Sequence, residues 1–269
     1  MPRRRTQDRP RGPGSGLRAW VVVLLSVAGC GSTGPTEEAL PLLDDSPPPP
    51  QGDGALAFDG AAHYATVGTA GFPFGLAAHT ITLWVKPRRA AGDETLVALR
   101  KDYQSGVQLG LQDGVPTAWR VYARRPYVSA SDPLAVEVWH HVAYVYDGAE
   151  HHLYVDGVER GTGTLEPNNR TSTGGWLGSL DGERWFFQGE MDRVRVWSEA
   201  RTPEQIADDV AGGDPSSEAL VLELSFDETD ELRAYDRSGR RNHATLGDGF
   251  PEWAPERVPS DLPSDLATD

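Results

Sequence analysis

The chain has 269 residues, of which 40 are Asp or Glu and 25 are Lys or Arg, so its formal net charge is −15. Residues 1–29 hold six Arg and one Asp, and the remainder therefore carries a formal charge of −20. Because so acidic a chain repels a phosphate backbone, the composition argues against nucleic acid as a partner.

The first segment of the chain has the composition of a targeting signal. Residues 2–18 are rich in Arg, and an apolar run of ten residues follows from Ala19 to Ala28. Ten helical residues measure about 15 Å, about half the hydrocarbon thickness of a bilayer, so the run is too short for a permanent span. The order predicts a signal peptide at residues 1–29 that is removed on export.

Cys30 is the only cysteine and directly follows this segment. The sequence Val27-Ala28-Gly29-Cys30 resembles the lipobox of bacterial lipoproteins, which implies that Cys30 is lipidated and anchors the protein to a membrane. More than one acyl chain is needed for a stable anchor. By resemblance to the sorting rule of Gram-negative lipoproteins, Gly31 in place of Asp implies the outer membrane. The alternative is an ordinary secretory signal in which Cys30 is incidental.

Residues 30–54 are predicted to form a tether. They are poor in large apolar residues and include the four prolines Pro47–Pro50, and such stretches are stiff and pack no core. From Ala55 onward, short runs alternate apolar and polar residues and are interrupted by Asp-Gly, Gly-Gly and Pro, which is typical of a β-sandwich. We therefore expect one domain at 55–248 and a disordered acidic tail at 249–269.

Individual elements follow from the same patterning. The runs Thr80–Val85 and Trp139–Tyr146 alternate as strands do, and Asp147-Gly148 and Asp156-Gly157 are typical of tight turns between antiparallel strands. One short helix is predicted after Thr202, because a hydroxyl N-cap is followed by Pro at the first position and Gln at the third.

A late segment, Leu220–Phe226, also alternates well enough to be a buried strand. Two explanations are open. It is a strand that the C-terminal part of the chain adds to the sandwich, because sandwich termini often lie side by side, or it is the remnant of a second copy. The first is preferred, because a lone remnant would have no core in which to bury its apolar residues.

Several motifs occur in an order that resembles a known family. They are Leu56–Gly60, Thr80–Pro87, Trp139–Gly148 with Leu153–Gly157, and Gly189–Trp197 with the capped helix after it. Together they resemble the laminin-G-like or concanavalin-A-like domains, which are related to the pentraxins. The resemblance implies an all-β fold, a two-sheet antiparallel jelly-roll sandwich with one short helix. The segment 220–246 departs from it, since the similar family segment precedes the domain.

The resemblance also implies a structural Ca²⁺ ion. Asp59 and Asp192 match family positions that resemble metal ligands, and carboxylate oxygens suit Ca²⁺. The alternative is that Asp59 forms a turn and Asp192 caps a strand end through backbone hydrogen bonds.

Catalysis is not expected from this sequence. Hydrolysis needs two carboxylates beside the scissile bond. In the β-glucanases, which this architecture resembles, these carboxylates belong to a Glu-x-Asp-x-x-Glu motif on one strand. Glu190-Met191-Asp192 begins the pattern, but Arg195 occupies the place of the second Glu. The pairs His140-His141 and His151-His152 do not chelate one ion each, because neighbouring residues of a strand point to opposite faces.

Aromatic residues are more numerous than the predicted core requires, and aromatic faces stack on sugars or anchor protein interfaces. We predict Trp176, Trp185 and Tyr127 as ligand-binding residues, with the loops Glu166–Gly175 and Ser179–Arg184 as a rim. The sequence thus predicts an envelope lipoprotein with a non-catalytic binding module for a glycan or protein ligand. The alternatives are a structural or partner-docking envelope protein without a glycan ligand and, less favoured, a glycoside hydrolase.

Overall fold

The computed structural model describes residues 47–73, 77–102, 105–120, 125–166, 174–215 and 217–262. These contain sixteen strands, one α-helix and two 3-10 turns. The elements are β1 (Gly54–Asp59), β2 (Ala65–Val67), β3 (His79–Pro87), β4 (Asp93–Asp102), β5 (Ser105–Gln112), β6 (Val115–Arg120), β7 (Pro126–Ser129), β8 (His140–Tyr146), β9 (His151–Val155), β10 (Val158–Gly163), β11 (Gly174–Leu177), β12 (Gln188–Trp197), α1 (Pro203–Val210), β13 (Leu220–Leu224), β14 (Arg233–Ala234), β15 (Ala244–Leu246), the 3-10 turns Gly247–Gly249 and Pro251–Trp253, and β16 (Glu256–Pro259).

The strands form two antiparallel sheets of eight strands each. Sheet A has the order β10-β9-β8-β3-β12-β1-β16, with β13 also paired to β12, and sheet B has the order β14-β15-β2-β11-β4-β5-β6-β7. Alternate side chains of both sheets meet between them, and the largest of these buried residues include Phe58, Tyr144, Phe187 and Phe226. The prediction of an all-β, two-sheet jelly-roll sandwich with one short helix is confirmed.

Strand β12 has two different neighbours on one side. Its first half pairs with β1 and its second half with β13. The register against β3 shifts between Asp192 and Arg195, and Arg193 has a φ of 46°. The expectation that the C-terminal part adds the strand at 220–226 to the sandwich is therefore confirmed.

The last part of the described chain is folded, which corrects the predicted disordered tail. β16 pairs with β1 along Gly54↔Pro259 to Ala57↔Glu256 and ends sheet A. Leu262 is buried, and residues 263–269 lie outside the described residues. The tether prediction also needs a correction at its end, because Arg237 Nη2 donates to Pro48 O over 3.1 Å and Gln51 N donates to Asp227 O over 2.8 Å.

The single helix is fixed by its cap and by one buried carboxylate. Thr202 and Gln205 form the predicted capping box. On the inner side of α1, Asp209 accepts from Thr82 Oγ1 over 2.7 Å, lies 2.9 Å from His141 Nε2 and is paired with Arg195. Although burial raises the pKa of Asp209, its bond to His141 and the charges of His141 and Arg195 outweigh burial and hold the pKa well below its usual value. This cluster fastens the helix to the outer face of sheet A.

The helix is also the element to consider for a membrane span. Within the described part of the chain, no helix is both long and apolar enough to cross a bilayer.

Candidate functional site

One row of side chains crosses the outer face of sheet B. The register pairs Thr66 with Trp176, Trp176 with Ala98, Ala98 with Gln108 and Gln108 with Trp119. Their neighbours along each strand, such as Leu177, Leu99 and Val107, belong to the core. Because side chains alternate along a strand, the row lies on the opposite face from the core. Trp176 and Trp119 are three strands apart, which is about 14 Å.

Trp176 of this row and Trp185, which lies between β11 and β12 in the chain, lie together on this face. Both are half-buried and pack against the small cluster of Ala98 and Leu180. We call these four residues the tryptophan face. Ala98 lies beside Trp176 on the neighbouring strand and has almost no side chain, so the partly exposed indole rings present apolar surface there.

The orientation of Trp176 depends on a glycine two residues earlier. A Cβ atom at Gly174 would lie 2.6 Å from Cη2 and 2.9 Å from Cζ3 of Trp176. Only a residue without a side chain allows the indole to lie this close to the strand. Gly174 therefore allows the close approach of the indole to its own strand.

Trp185 is held by the hairpin at 179–186 and by an unusual backbone conformation. Leu180 and Arg184 form an isolated antiparallel bridge, and Gly182 N donates to Ser179 Oγ over 2.9 Å. Trp185 itself has a φ of 51°, and its carbonyl accepts from Thr95 N over 2.8 Å. A bulky residue in this region is strained by about 1–3 kcal/mol, and such strain concentrates at functional sites.

A polar group borders the tryptophan face on the β2 side. Asp248 accepts from Tyr64 OH over 2.9 Å and from Thr66 Oγ1 over 3.0 Å. Thr66 is the direct cross-strand partner of Trp176, so their Cβ atoms are about 5 Å apart. We call Asp248, Thr66 and Tyr64 the Asp248 rim. The sequence analysis missed it, and the only local signal is the glycine on either side of Asp248, which marks a turn.

Tyr127, the third predicted aromatic ligand residue, is in the core, and its assignment to the ligand surface is wrong. It is 3% exposed and stacks on His151 with ring centroids 4.6 Å apart. Trp119, Phe186 and Phe187 are also buried. Of the predicted rim, residues 167–173 lie outside the described residues.

The structure does not bring Asp59 and Asp192 together as ligands of one Ca²⁺ ion. Asp59 is opposite Gln188 in the register, whereas Asp192 lies four residues further along β12, about 13 Å away along the strand. Asp59 Oδ1 accepts backbone N–H groups from Ala61, Ala62 and His63 over 2.8–2.9 Å. Among the described residues, no group of three His, Cys, Asp or Glu side chains is placed to hold a metal ion. The donor set does not fit a shared ion.

The electrostatics of the two carboxyls differ accordingly. For Asp59, partial burial raises the pKa, but the three backbone donors outweigh it and the pKa is below its usual value. Asp192 is 0% exposed and is held by Ser260 Oγ over 2.9 Å. Burial raises the pKa of Asp192 to about 7. The two residues are therefore a loop cap and a buried strand residue.

The remaining polar candidates of the sequence have structural partners. Glu190 is paired with Arg88 and lies 3.8 Å from Lys86 Nζ, and Arg195 is paired with Asp209 and Glu223. The two histidine pairs lie at opposite ends of the β8–β9 hairpin, because His151 is opposite Tyr146 whereas Asp156 bonds His141. Cys30 lies outside the described residues.

Comparison with known proteins identifies the family of the chain. A family model described as the concanavalin A-like lectin/glucanases superfamily matches residues 59–207, more than half of the chain. No curated protein sequence matches the chain. A proposed carbohydrate-binding protein from Bacteroides ovatus ATCC 8483 is similar in fold, with a TM-score of 0.63, 22% identity, and coverage of 79% of this chain and 61% of that chain. This chain thus spans less than two thirds of that protein's length.

Two further solved structures are more distant. A heptameric SAP-like pentraxin from Limulus polyphemus has a TM-score of 0.49 and 18% identity over 72% of this chain and 94% of that one. Domain 4 of an extracellular arabinanase from Geobacillus stearothermophilus, solved in complex with arabinotriose, has a TM-score of 0.44 and 25% identity over 57% of this chain and 75% of that one.

Proposed function

The chain belongs to the concanavalin A-like lectin/glucanases superfamily, and we propose that it binds carbohydrate at the tryptophan face of sheet B without cleaving it. The observation that carries the proposal is the arrangement of Trp176 and Trp185, two half-buried indoles that pack around Ala98 on the outer face of sheet B. The likeness in fold to the Bacteroides ovatus protein is consistent with it.

The chemistry of the site favours a neutral, hydroxyl-rich ligand. An indole ring offers apolar surface on which the C–H side of a sugar ring stacks. A small number of polar groups then fixes the orientation of the bound ligand. Asp248 is exposed and its carboxylate oxygens accept hydrogen bonds, so further hydroxyl groups of a sugar find an acceptor there. An anionic sugar would be repelled by Asp248 and by the acidic charge of the whole chain.

The outer face of sheet A offers support for a binding role over a catalytic one. Hydrolysis requires two carboxyls on either side of an open site. Glu190 is paired with Arg88, and Asp192 is inaccessible beneath Ser260. Neither carboxyl is available to a glycosidic bond in this arrangement.

The location of the module is the second part of the proposal. We propose that Cys30 carries the lipid anchor and that the proline-rich segment spaces the domain from an outer membrane. A fatty acid label that enters the wild-type chain and a Cys30→Ser variant equally would contradict the anchor.

A glycan array with the full chain tests the binding function. We expect neutral glycans to bind, and Trp176→Ala and Trp185→Ala each to weaken binding by about tenfold or more, which corresponds to about 1.4 kcal/mol. Trp139→Ala is the matched control, since Trp139 is a half-buried indole on sheet A whose Nε1 donates to Asp261. Melting temperatures show that each variant is folded.

The same experiment separates the alternatives. If no glycan binds, or if Trp139→Ala weakens binding as much as Trp176→Ala, the tryptophan face is not a glycan site. A docking role without a glycan ligand would then account better for its exposed indoles. Release of reducing sugar from a bound glycan would contradict the non-catalytic role.

A further inference from the structure

Two adjoining clefts lie beside the C-terminal strand, far along the chain from the tryptophan face. The larger has a volume of about 470 Å³ and the smaller about 400 Å³, and Glu231 and Arg257 line both. We call them together the acidic cleft. Its described lining includes five carboxylates and one guanidinium, contributed by Asp53, Asp227, Glu228, Glu231, Glu256 and Arg257.

The guanidinium of Arg257 is committed to backbone groups. Its Nη1 donates to Phe226 O over 2.8 Å, its Nε to Asp230 O over 2.6 Å and its Nη2 to Arg233 O over 2.7 Å. Arg257 therefore fixes the loop between β13 and β14, whose acidic residues it holds in place. Arg257 is the one cationic residue in the described lining, so the five carboxylates of the cleft outnumber its positive charge.

Glu228 has an unsatisfied atom in this lining. The residue is 3% exposed, and its Oε1 accepts the N–H of Tyr235. Its Oε2 is buried and has no hydrogen-bond partner among the described residues. A buried acceptor without a donor costs stability, and more so if it is charged. This cost would be recovered if a cationic donor entered the cleft.

The spacing of the carboxylates favours an organic cation over a metal ion. Within the described chain, no three acidic or histidine side chains can ligate one metal. An ammonium or guanidinium group on a flexible side chain instead reaches carboxylates one or two at a time and donates hydrogen bonds to them.

The neighbouring strand indicates what carries this cation. Arg257, Val258 and Pro259 of β16 line the larger cleft. Among the described strands, β16 is the last of sheet A and pairs with none but β1. The outer edge of such a strand presents backbone N–H and C=O groups to which an extended peptide can bind. An extended peptide repeats its own N–H and C=O groups at the spacing of this edge, which a sugar does not.

We propose that the acidic cleft binds an extended segment of a protein partner through Lys or Arg side chains. The five carboxylates select a cationic segment, Glu228 supplies the buried acceptor, and β16 aligns the backbone. The lining of the cleft shares no residue with the tryptophan face or the Asp248 rim, so the proposal does not depend on glycan binding.

Calorimetric titration of the full chain at low ionic strength tests the proposal. The probe is an acetylated and amidated pentapeptide with alternating alanine and lysine, and the comparison peptide has glutamine in place of lysine. We expect only the lysine peptide to bind. Asp53→Asn with Glu231→Gln should weaken it about three- to tenfold, since each exposed charge pair contributes about 0.2–1 kcal/mol.

The control removes the same charge elsewhere. Glu150→Gln with Glu218→Gln neutralises two exposed acidic residues outside the cleft, so a general effect of net charge would appear equally in both double variants. Glu228→Gln keeps an acceptor for Tyr235 N and removes the buried charge, and it too should weaken the lysine peptide. Melting temperatures establish that all variants are folded.

Three outcomes would overturn the proposal. They are equal binding of the glutamine peptide, an equal loss in the control double variant, and binding of a glucosamine oligomer without binding of the lysine peptide. The last outcome would assign the cleft to a cationic sugar.

Discussion

Ser260 and Asp192 join the C-terminal segment to the middle of sheet A. Ser260 Oγ donates to Asp192 Oδ2 over 2.9 Å, and Asp192 is 0% exposed beneath it. The same segment is held further along by Asp261, which accepts from Lys86 Nζ over 2.7 Å. A buried carboxyl and an exposed ion pair together keep the end of the described chain on the outer face of the sheet.

The pKa of Asp192 predicts a pH-dependent stability. Burial raises this pKa to about 7 in the folded protein, from 3.8 in an unfolded chain. The folded state therefore binds more protons between these values, and stability falls as the pH rises from about 4 to about 7. Asp192→Asn should abolish this loss, so that the variant gains melting temperature relative to wild type when the pH is raised from about 5 to about 8.

His79 has the opposite effect on the pH dependence of stability. The informative quantity is therefore the difference in melting temperature between wild type and Asp192→Asn. Burial lowers the pKa of His79 to about 4 from 6.5, so stability is lost as the pH falls from about 6.5 to about 4. Both proteins retain His79, and its effect cancels in the difference. A difference in melting temperature between Asp192→Asn and wild type that stays constant from about pH 5 to about pH 8 would contradict the raised pKa of Asp192.

Removal of Asp209 should be among the most destabilising substitutions. Asp209→Ala leaves Arg195 and His141 without their buried partner, and loss of one member of such a pair costs about 3–5 kcal/mol. Chemical denaturation measures the change in the free energy of unfolding. Asp208→Ala, at the exposed neighbouring position of α1, should change it little, and similar losses in the two variants would show that the buried cluster is not responsible.

Substitutions of Asp59 distinguish its role as a loop cap from a role as a calcium ligand. Asp59→Ala removes the acceptor of three backbone N–H groups, and we expect a loss of about 1–2 kcal/mol in unfolding free energy. Asp59→Asn keeps an oxygen in the same place and should lose much less. Since Asp59 and Asp192 are not close enough to share an ion, calcium and chelator should give wild type the same melting temperature. A rise with calcium that Asp59→Asn removes would restore the metal role.

Gly174 offers a test of the tryptophan face without a change in its ring. In Gly174→Ala the new methyl group would lie 2.6 Å from Cη2 of Trp176, so the indole must tilt away from the sheet. We expect altered tryptophan fluorescence and weaker glycan binding. Gly52→Ala is the control, because a Cβ there meets no atom within 4 Å. Unchanged binding in Gly174→Ala would show that the orientation of Trp176 is unimportant.

Strands β3 and β8 were predictable because both are covered on both faces, so β-branched, apolar and aromatic residues run through almost their whole length. The helix start was predictable because Thr202 and Gln205 satisfy each other locally. By contrast, β16 lacks an apolar alternation and becomes a strand only because β1 offers it a free edge. Long-range pairing of this kind leaves no pattern in the local sequence.

The site residues show the same division. Trp176, Trp185 and Tyr127 were predicted because aromatic residues outnumber those that the core requires, but such a count cannot say which of them another element covers. Tyr127 is covered because it stacks on His151 of the opposite sheet, a contact that the local sequence does not show. The distance between Asp59 and Asp192 depends on the register between β1 and β12, which neither strand specifies alone.

The division of β12 between β1 and β13 bears on how the protein is made. β12 receives its second-half neighbour only from residues 220–224, and β1 receives its outer neighbour only from 256–259. A ribosome releases the N-terminal strands first, so sheet A stays open until nearly all of the described chain has emerged. During that interval unpaired strand edges are exposed to aggregation and to proteases. Sheet A is therefore completed last, by β13 and β16. Chains truncated soon after β12 should accumulate poorly in cells.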